Sequence, residues 1–318
     1  MSPMTRTIPT IDMNHYTSGE GETRSRFVKT LGDGLVEFGF LNVEGHGIDS
    51  GLIKNTYKIW QEFFALPDEV KRKYSGIEGG ARGYTPFRVE HAKDNPLPDL
   101  KEFWHVGQQL PWGHPYQAEY PGNVWPEDEV PGIQDPTVTL YKSLERVAED
   151  MLRALAEYFE LPRETFAGMM KDGNSILRII HYPPVSPEFD PAVRASAHED
   201  INLITLLCEA TDSGLEIFTR DGEWLPVETG EGQIVVDAGD MLSRVTNRVV
   251  PATTHRVVNP PSSSNRDRFS MPFFVHPYSA CDLTILDRFV SEDNPPKYPP
   301  ITAGAFLEER LREIGLKK

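Results

Sequence analysis

Apolar residues recur every three or four positions in several stretches of this chain, the period of a helix with one buried face. Phe27, Leu31, Leu35 and Phe38 predict a helix from about residue 22 to 38, weakened by Gly32 and Gly34. Leu52, Ile53, Tyr57, Trp60, Phe63 and Phe64 predict a second, about Ser50 to Ala65, stopped by Leu66-Pro67. Leu140, Leu144, Val147, Met151, Leu155 and Tyr158 predict a long third helix, about Thr137 to Phe159, bracketed by Pro136 and Pro162. One more amphipathic helix is expected at about Thr302 to Leu316.

From Ser175 to Val275 the texture changes to short β-like runs: 176–182, 201–208, 215–218, 233–236, 241–245, 255–258 and 269–275. Gly214, Asp221-Gly222, Gly230, Gly232 and Gly239-Asp240 punctuate them. Ile8 to Asp12 reads as an edge strand, because Pro9 cannot donate to a ladder. Phe38 to Val43 reads as a strand ending at Gly45-His46-Gly47, with His46 in a structural role. Residues 75 to 135 are rich in Gly, Pro and aromatics, from Gly79-Gly80 to Trp125-Pro126, with weak periodicity. They predict a lid, a binding loop or a proline-braced cover.

Many short strands with Gly-rich turns predict a sandwich or jelly roll. The fold class expected is α+β with a mainly β core, N-terminal helices packed against it and a helix at the end. No repeat or linker divides the chain, so 1–318 is expected to be a single domain. Within it, 1–170 is the helical and irregular region, 171–280 the β core and 281–318 a helical extension.

Charge narrows the partners. A formal net charge of −16 and a pI near 5.0 set the surface against nucleic acid and anionic membranes, but allow a local basic pocket. The two cysteines, Cys208 and Cys281, make neither a disulfide framework nor a Cys-based zinc site. No run approaches the ~20 apolar residues of a membrane span, and Met1 to Thr10 has no signal-like apolar core. A cytoplasmic protein is expected, as a monomer or weak homodimer.

The chemistry centres on His198-Glu199-Asp200. Residues two apart on a strand point the same way, so an imidazole and a carboxylate can meet one metal. Of the nine histidines, His255 alone follows this pair inside the β region and precedes the last core strand. Two histidines and one carboxylate with open positions select non-haem Fe(II) used for O2 chemistry. Arg268 and Ser270 share a strand face, where a guanidinium and a hydroxyl can seat the far end of a dicarboxylate chelated to iron. Each piece has a plain alternative: a His-x-Asp pair arises by chance, and Arg268 would serve a surface ion pair among 48 acidic residues.

With the lead-in Arg178-Ile179-Ile180-His181-Tyr182-Pro183-Pro184, the opening Ile8 to Asp12 and Phe38-Gly39-Phe40, these motifs resemble a known family. It is the iron- and 2-oxoglutarate-dependent dioxygenase superfamily, in its isopenicillin N synthase-like branch. The resemblance implies a double-stranded β-helix with Fe(II) on His198, Asp200 and His255. It implies 2-oxoglutarate chelating iron, its 5-carboxylate meeting Arg268 and Ser270 with help from Tyr182. It departs from plant members at Ile180, where those usually carry Asn. The reaction implied consumes O2 and 2-oxoglutarate, releases succinate and CO2, and hydroxylates or desaturates a small molecule. Arg82, Tyr84, Phe87, Phe103, Trp104, His105 and Phe273 are the candidate substrate walls, suited to a partly apolar molecule with a carboxylate or hydroxyl. The alternatives are an iron oxidase that does not use 2-oxoglutarate, a non-catalytic metabolite-binding member of the fold and, weaker, a zinc hydrolase.

Overall fold

The computed structural model describes residues 7–77, 81–92, 95–189 and 191–313. Gly79, Gly80 and the expected last turn of the C-terminal helix at 314–316 lie outside the described residues. The strands are β1 (Thr10–Asp12), β2 (Phe40–Glu44), β3 (Gly83–Thr85), β4 (Glu102–Gly107), β5 (Ile176–Tyr182) and β6 (Ala195–His198). They continue as β7 (Ile204–Cys208), β8 (Leu215–Phe218), β9 (Trp224–Pro226), β10 (Ile234–Ala238), β11 (His255–Val257) and β12 (Arg268–Val275). The helices are α1 (Asn14–Thr17), α2 (Gly21–Phe38), α3 (Ser50–Phe64), α4 (Asp68–Lys71), α5 (Gln134–Tyr158), α6 (Glu164–Met170), α7 (Asp240–Val245) and α8 (Ala303–Glu313).

Two sheets form the jelly roll. The larger has eight strands in the order β1-β2-β10-β7-β12-β5-β4-β3, and the smaller has four, β6-β11-β8-β9. β1 is at the edge, paired parallel with β2, and Pro9 precedes it, where its missing N–H costs no ladder bond. Strands distant in sequence are neighbours: β12 runs antiparallel between β5 and β7. No helix of the described residues is long and apolar enough to cross a membrane.

α2, α3 and α5 form where the 3.6-residue period placed them. α5 begins two residues before Pro136, because proline in a first turn forfeits an N–H that has no intrahelical partner there. α2 stops at Gly39, whose φ of 66° is left-handed; a Cβ there would press on Thr253 Oγ1 and the Pro251 carbonyl.

Three expectations are corrected. Residues 241–245 are the helix α7, not a strand; six residues are too few for periodicity to decide. The run 201–208 is a strand only from Ile204, since Ile201 to Leu203 bend away after the metal motif. The 75–135 region is not wholly irregular: β4 lies inside the large sheet between β3 and β5, and all six of its residues are buried. A strand covered on both faces shows no alternation, so its pattern is silent.

One face of the large sheet carries the main core. Trp104, Leu177, Met271 and Phe273 pack there with Trp60 of α3 and Leu144 of α5. Each such side chain withdrawn from water stabilises the fold by roughly 1.5–3 kcal/mol before entropy is charged. Trp60 Nε1 donates to Thr137 Oγ1 at 2.9 Å, so the indole is buried without an orphaned donor. The opposite face of the sheet looks into the jelly roll. Its apolar cluster is smaller and joins Phe40, Phe103 and Ile180 to Ile217 and Val257 of the four-stranded sheet. The rest of that interior is polar and open.

Candidate active site

His198 ends β6 and His255 begins β11, and the two are register partners across the antiparallel pair. That pairing brings residues distant in sequence to a ring separation of 4.4 Å. Asp200 is not on the strand with His198, as the two-residue spacing suggested. It sits in the bend that follows, and that bend is clamped by α7. Asp240 N–H donates to the Asp200 carbonyl at 2.7 Å, and Met241 N–H to the Asn202 carbonyl at 3.1 Å. Gly239 permits the approach, since a Cβ there would lie 2.4 Å from the Asn202 carbonyl.

The clamp aims the carboxylate. Asp200 Oδ1 is 3.8 Å from Nε2 of each histidine, and one ligand atom from each residue lies within 4.8 Å of the others. His198 Nδ1 meets the Ser196 carbonyl at 2.7 Å and His255 Nδ1 the Thr253 carbonyl at 3.1 Å. A carbonyl only accepts, so each Nδ1 carries the proton and each Nε2 presents a lone pair to the shared point. Burial, then His198, pushes His255 down to about 4, so it is neutral near pH 7, as a ligand must be. Burial would raise the Asp200 carboxyl, but His255, His198 and the Thr205 hydroxyl hold it below its usual value. Behind it, burial and the Asp200 charge push Asp237 well up. Two imidazoles and a carboxylate are the donor set of a non-haem iron site.

Two cavities meet at this triad. The smaller runs into the jelly roll and is lined by Tyr182, Ile180, Arg268 and Ser270. Arg268 is 2% exposed, Nε donates to the Asp212 carbonyl at 3.1 Å, and Nη1 has no partner. Arg268 faces Tyr182 in the β12–β5 register, with its guanidinium 5.0 Å from that ring. A buried guanidinium nitrogen without a partner is costly, and an anionic ligand would satisfy it. The orphaned Nη1 therefore fits the carboxylate that the sequence motif implied.

The larger cavity, about 440 Å³, opens on the other side of His198 and Asp200. This is the size of a small-molecule pocket. Arg178 dominates its wall. The guanidinium lies over Phe103 at 4.2 Å and Phe274 at 5.1 Å, donates to Glu90 Oε1 at 3.0 Å, and donates from Nε to His105 Nε2 at 2.6 Å. Lys101 joins Glu90 and Asp99, each at 2.8 Å. Burial opposes the charge on Glu90, but Arg178 and Lys101 hold its carboxyl far below the usual range. His276, also on this wall, is pushed by burial down to about 4, and its Nδ1 has no partner. α8 closes one side with Leu307, Arg310 and Leu311.

Of the candidate substrate walls, His105 lines this cavity, and Phe103 lies beneath Arg178 on the same face. The others do not line it. Tyr84 and Trp104 belong to the helix-side core, where the Tyr84 hydroxyl donates to Glu102. Phe273 packs edge-on against Tyr141 at 4.9 Å, on the wrong face of β12; its neighbour Phe274 faces the cavity. Arg82 is buried against Gly107, donating to Asn174 Oδ1 at 3.3 Å, one residue from the wall. Phe87 pairs with Phe189 at 5.9 Å. Sequence reasoning missed Arg178 as a wall residue, along with Phe274, His276 and Glu90. For Arg178 the signal existed: it lies four residues before Tyr182, on the same face of β5.

The comparisons with known proteins agree with this geometry. Residues 8–128 match the non-haem dioxygenase in morphine synthesis N-terminal family, and residues 173–277 match the 2OG-Fe(II) oxygenase superfamily. A 2OG-Fe(II) oxygenase family protein from Caulobacter crescentus is 42% identical, with a TM-score of 0.88 over 98% of this chain and 100% of that one. Full-length Neurospora crassa T7H, solved with alpha-KG and thymine, is 27% identical with a TM-score of 0.86 over 98% of each chain. The 2-oxoglutarate-Fe(II) type oxidoreductase ppzD of Metarhizium majus is 30% identical over 96% of this chain and 95% of its own. On these matches, with the His-Asp-His cluster between two cavities, the chain belongs to the 2OG-Fe(II) oxygenase superfamily and is an iron- and 2-oxoglutarate-dependent dioxygenase.

Proposed function

We propose that His198, Asp200 and His255 hold the iron, that Arg268, Ser270 and Tyr182 seat 2-oxoglutarate in the smaller cavity, and that the larger cavity takes a small polar substrate. The observation that carries this is the triad at the junction of two cavities, a smaller one holding the unpartnered Nη1 of Arg268 and a larger one lined by His105 and His276, with Arg178 bordering both. Iron with 2-oxoglutarate supplies the oxidising power for a C–H bond, with succinate and CO2 as by-products. The chain supplies position. The Nδ1–carbonyl bonds fix both imidazoles, the α7 clamp fixes the carboxylate, and the Arg268 wall sets how far the cosubstrate enters.

The Arg178 wall selects the substrate. Glu90 and Asp99 balance Arg178 and Lys101, and His276 is neutral, so the wall favours hydrogen-bonding edges over net charge. Phe274 and Phe103 add apolar surface beside the guanidinium, as a compact ring-sized molecule needs. The relative solved with thymine, and also with 5-formyluracil, supports a substrate of that size and polarity. A core running from Ile11 to Phe306 supports one folded unit.

The test is anaerobic addition of Fe(II) and 2-oxoglutarate. A visible charge-transfer band, lost in His198→Ala and weakened in Arg268→Ala, is the expected result. Ring-sized polar compounds should then stimulate succinate formation. A band that survives His198→Ala would overturn the metal assignment.

A further inference from the structure

Arg268 is not the only buried arginine beside the smaller cavity. Arg194, just before β6, is wholly buried. Its Nη2 donates to the Arg266 carbonyl, its Nη1 stands 3.9 Å from Asp212 Oδ2, and its Nε has no partner. Asp212 is not Arg194's to claim. Surface-exposed Arg266 grips both its oxygens, at 3.0 and 3.3 Å, while Arg268 takes only its backbone carbonyl. The Asp212 carboxylate therefore serves Arg266 closely and Arg194 only at longer range, while buried Arg268 receives no carboxylate oxygen from it. The acids lining the smaller cavity, Asp200 and Asp237, are at its metal end. Uncompensated buried charge is strongly unfavourable unless something arrives to neutralise it.

On the cosubstrate seat proposed above, we propose that Arg194 is a positioning residue: its charge, shared with Asp212 only at 3.9 Å, stands behind Arg268 and makes the seat select a ligand with a far carboxylate. Arg194 does not line the cavity, so it acts through the field and through Arg268 rather than by contact.

The test uses the full chain with Fe(II), without O2, and two probes. One is 2-oxoglutarate; the other is 2-oxopentanoate, which offers the same chelating end and no far carboxylate. The readouts are the charge-transfer band and the rise in melting temperature. Arg194→Met should weaken 2-oxoglutarate by about tenfold or more and leave 2-oxopentanoate within about twofold. Equal weakening of both probes, or of neither, overturns the proposal. Arg194→Lys keeps the charge and loses the fork, so it should retain the wild-type preference. Should the methionine variant not fold, the lysine variant decides, and a lost preference overturns the proposal. A wild-type protein with no preference for 2-oxoglutarate would instead sink the cosubstrate seat itself.

Discussion

The two faces of the large sheet are built from the same strands and do opposite work. On β5, Leu177 and Ile179 face the helices while Arg178, Ile180 and Tyr182 face the jelly roll. On β12, Met271 and Phe273 face the helices while Arg268, Ser270 and Phe274 face inward. The helix-side face is dry and close-packed, so its contribution is stability. The inner face carries two cavities, with the unpartnered Arg268 Nη1 and His276 Nδ1 on their walls, so its contribution is selectivity at some cost in stability. A shift of one residue exchanges these roles.

The largest expected effect falls on the inner face alone. His255→Ala should abolish the charge-transfer band and reduce 2-oxoglutarate turnover by more than the ~100-fold typical of outer-shell metal partners, with the fold retained. Next, the neighbours Phe273 and Phe274 should separate the faces. Phe273→Ala should cost about 3–5 kcal/mol in denaturant unfolding, because it empties a packed site. Phe274→Ala should cost about 1–2 kcal/mol and instead raise the substrate KM. Equal losses would erase the distinction.

The third prediction concerns pH. An unfolded His276 titrates near 6.5 and the buried one near 4, so between those values only the unfolded chain takes up the proton. Stability from this group is complete above about pH 6.5 and falls as the pH drops toward 4, by about 3 kcal/mol at most. His276→Leu should flatten the melting temperature across that window, and an unchanged slope would count against a buried neutral imidazole. The smallest effect belongs to Arg178→Met. It should raise the substrate KM about tenfold, the worth of one charge-assisted hydrogen bond.

The long helices were legible because 15 or more residues at one period leave little ambiguity; α3 and α5 fall within three residues of expectation. The metal ligands were legible because their chemistry is rare in combination. β4 was not, since burial on both faces erases alternation. α7 was not, since Met241, Leu242 and Val245 fit a short strand as well as one helical turn. Composition does not separate Phe273 from Phe274; the parity that Arg268 and Ser270 set along β12 turns Phe274 inward and Phe273 toward the helices. Tyr84, Trp104 and Phe87 lie away from the cavity for a related reason: composition marks a residue as large and apolar but not which face it joins.

Residue types, local periods and the donor set His198, Asp200 and His255 are properties of the chain as written, because each depends on neighbours a few bonds away or on intrinsic chemistry. Tertiary structure alone set His198 opposite His255, brought α7 under the Asp200 bend, and placed Arg178 over Phe103 and Phe274. It also left Arg268 Nη1 and Arg194 Nε without partners. Those outcomes depend on strand register and sheet closure, which balance burial over the whole jelly roll rather than over any one segment.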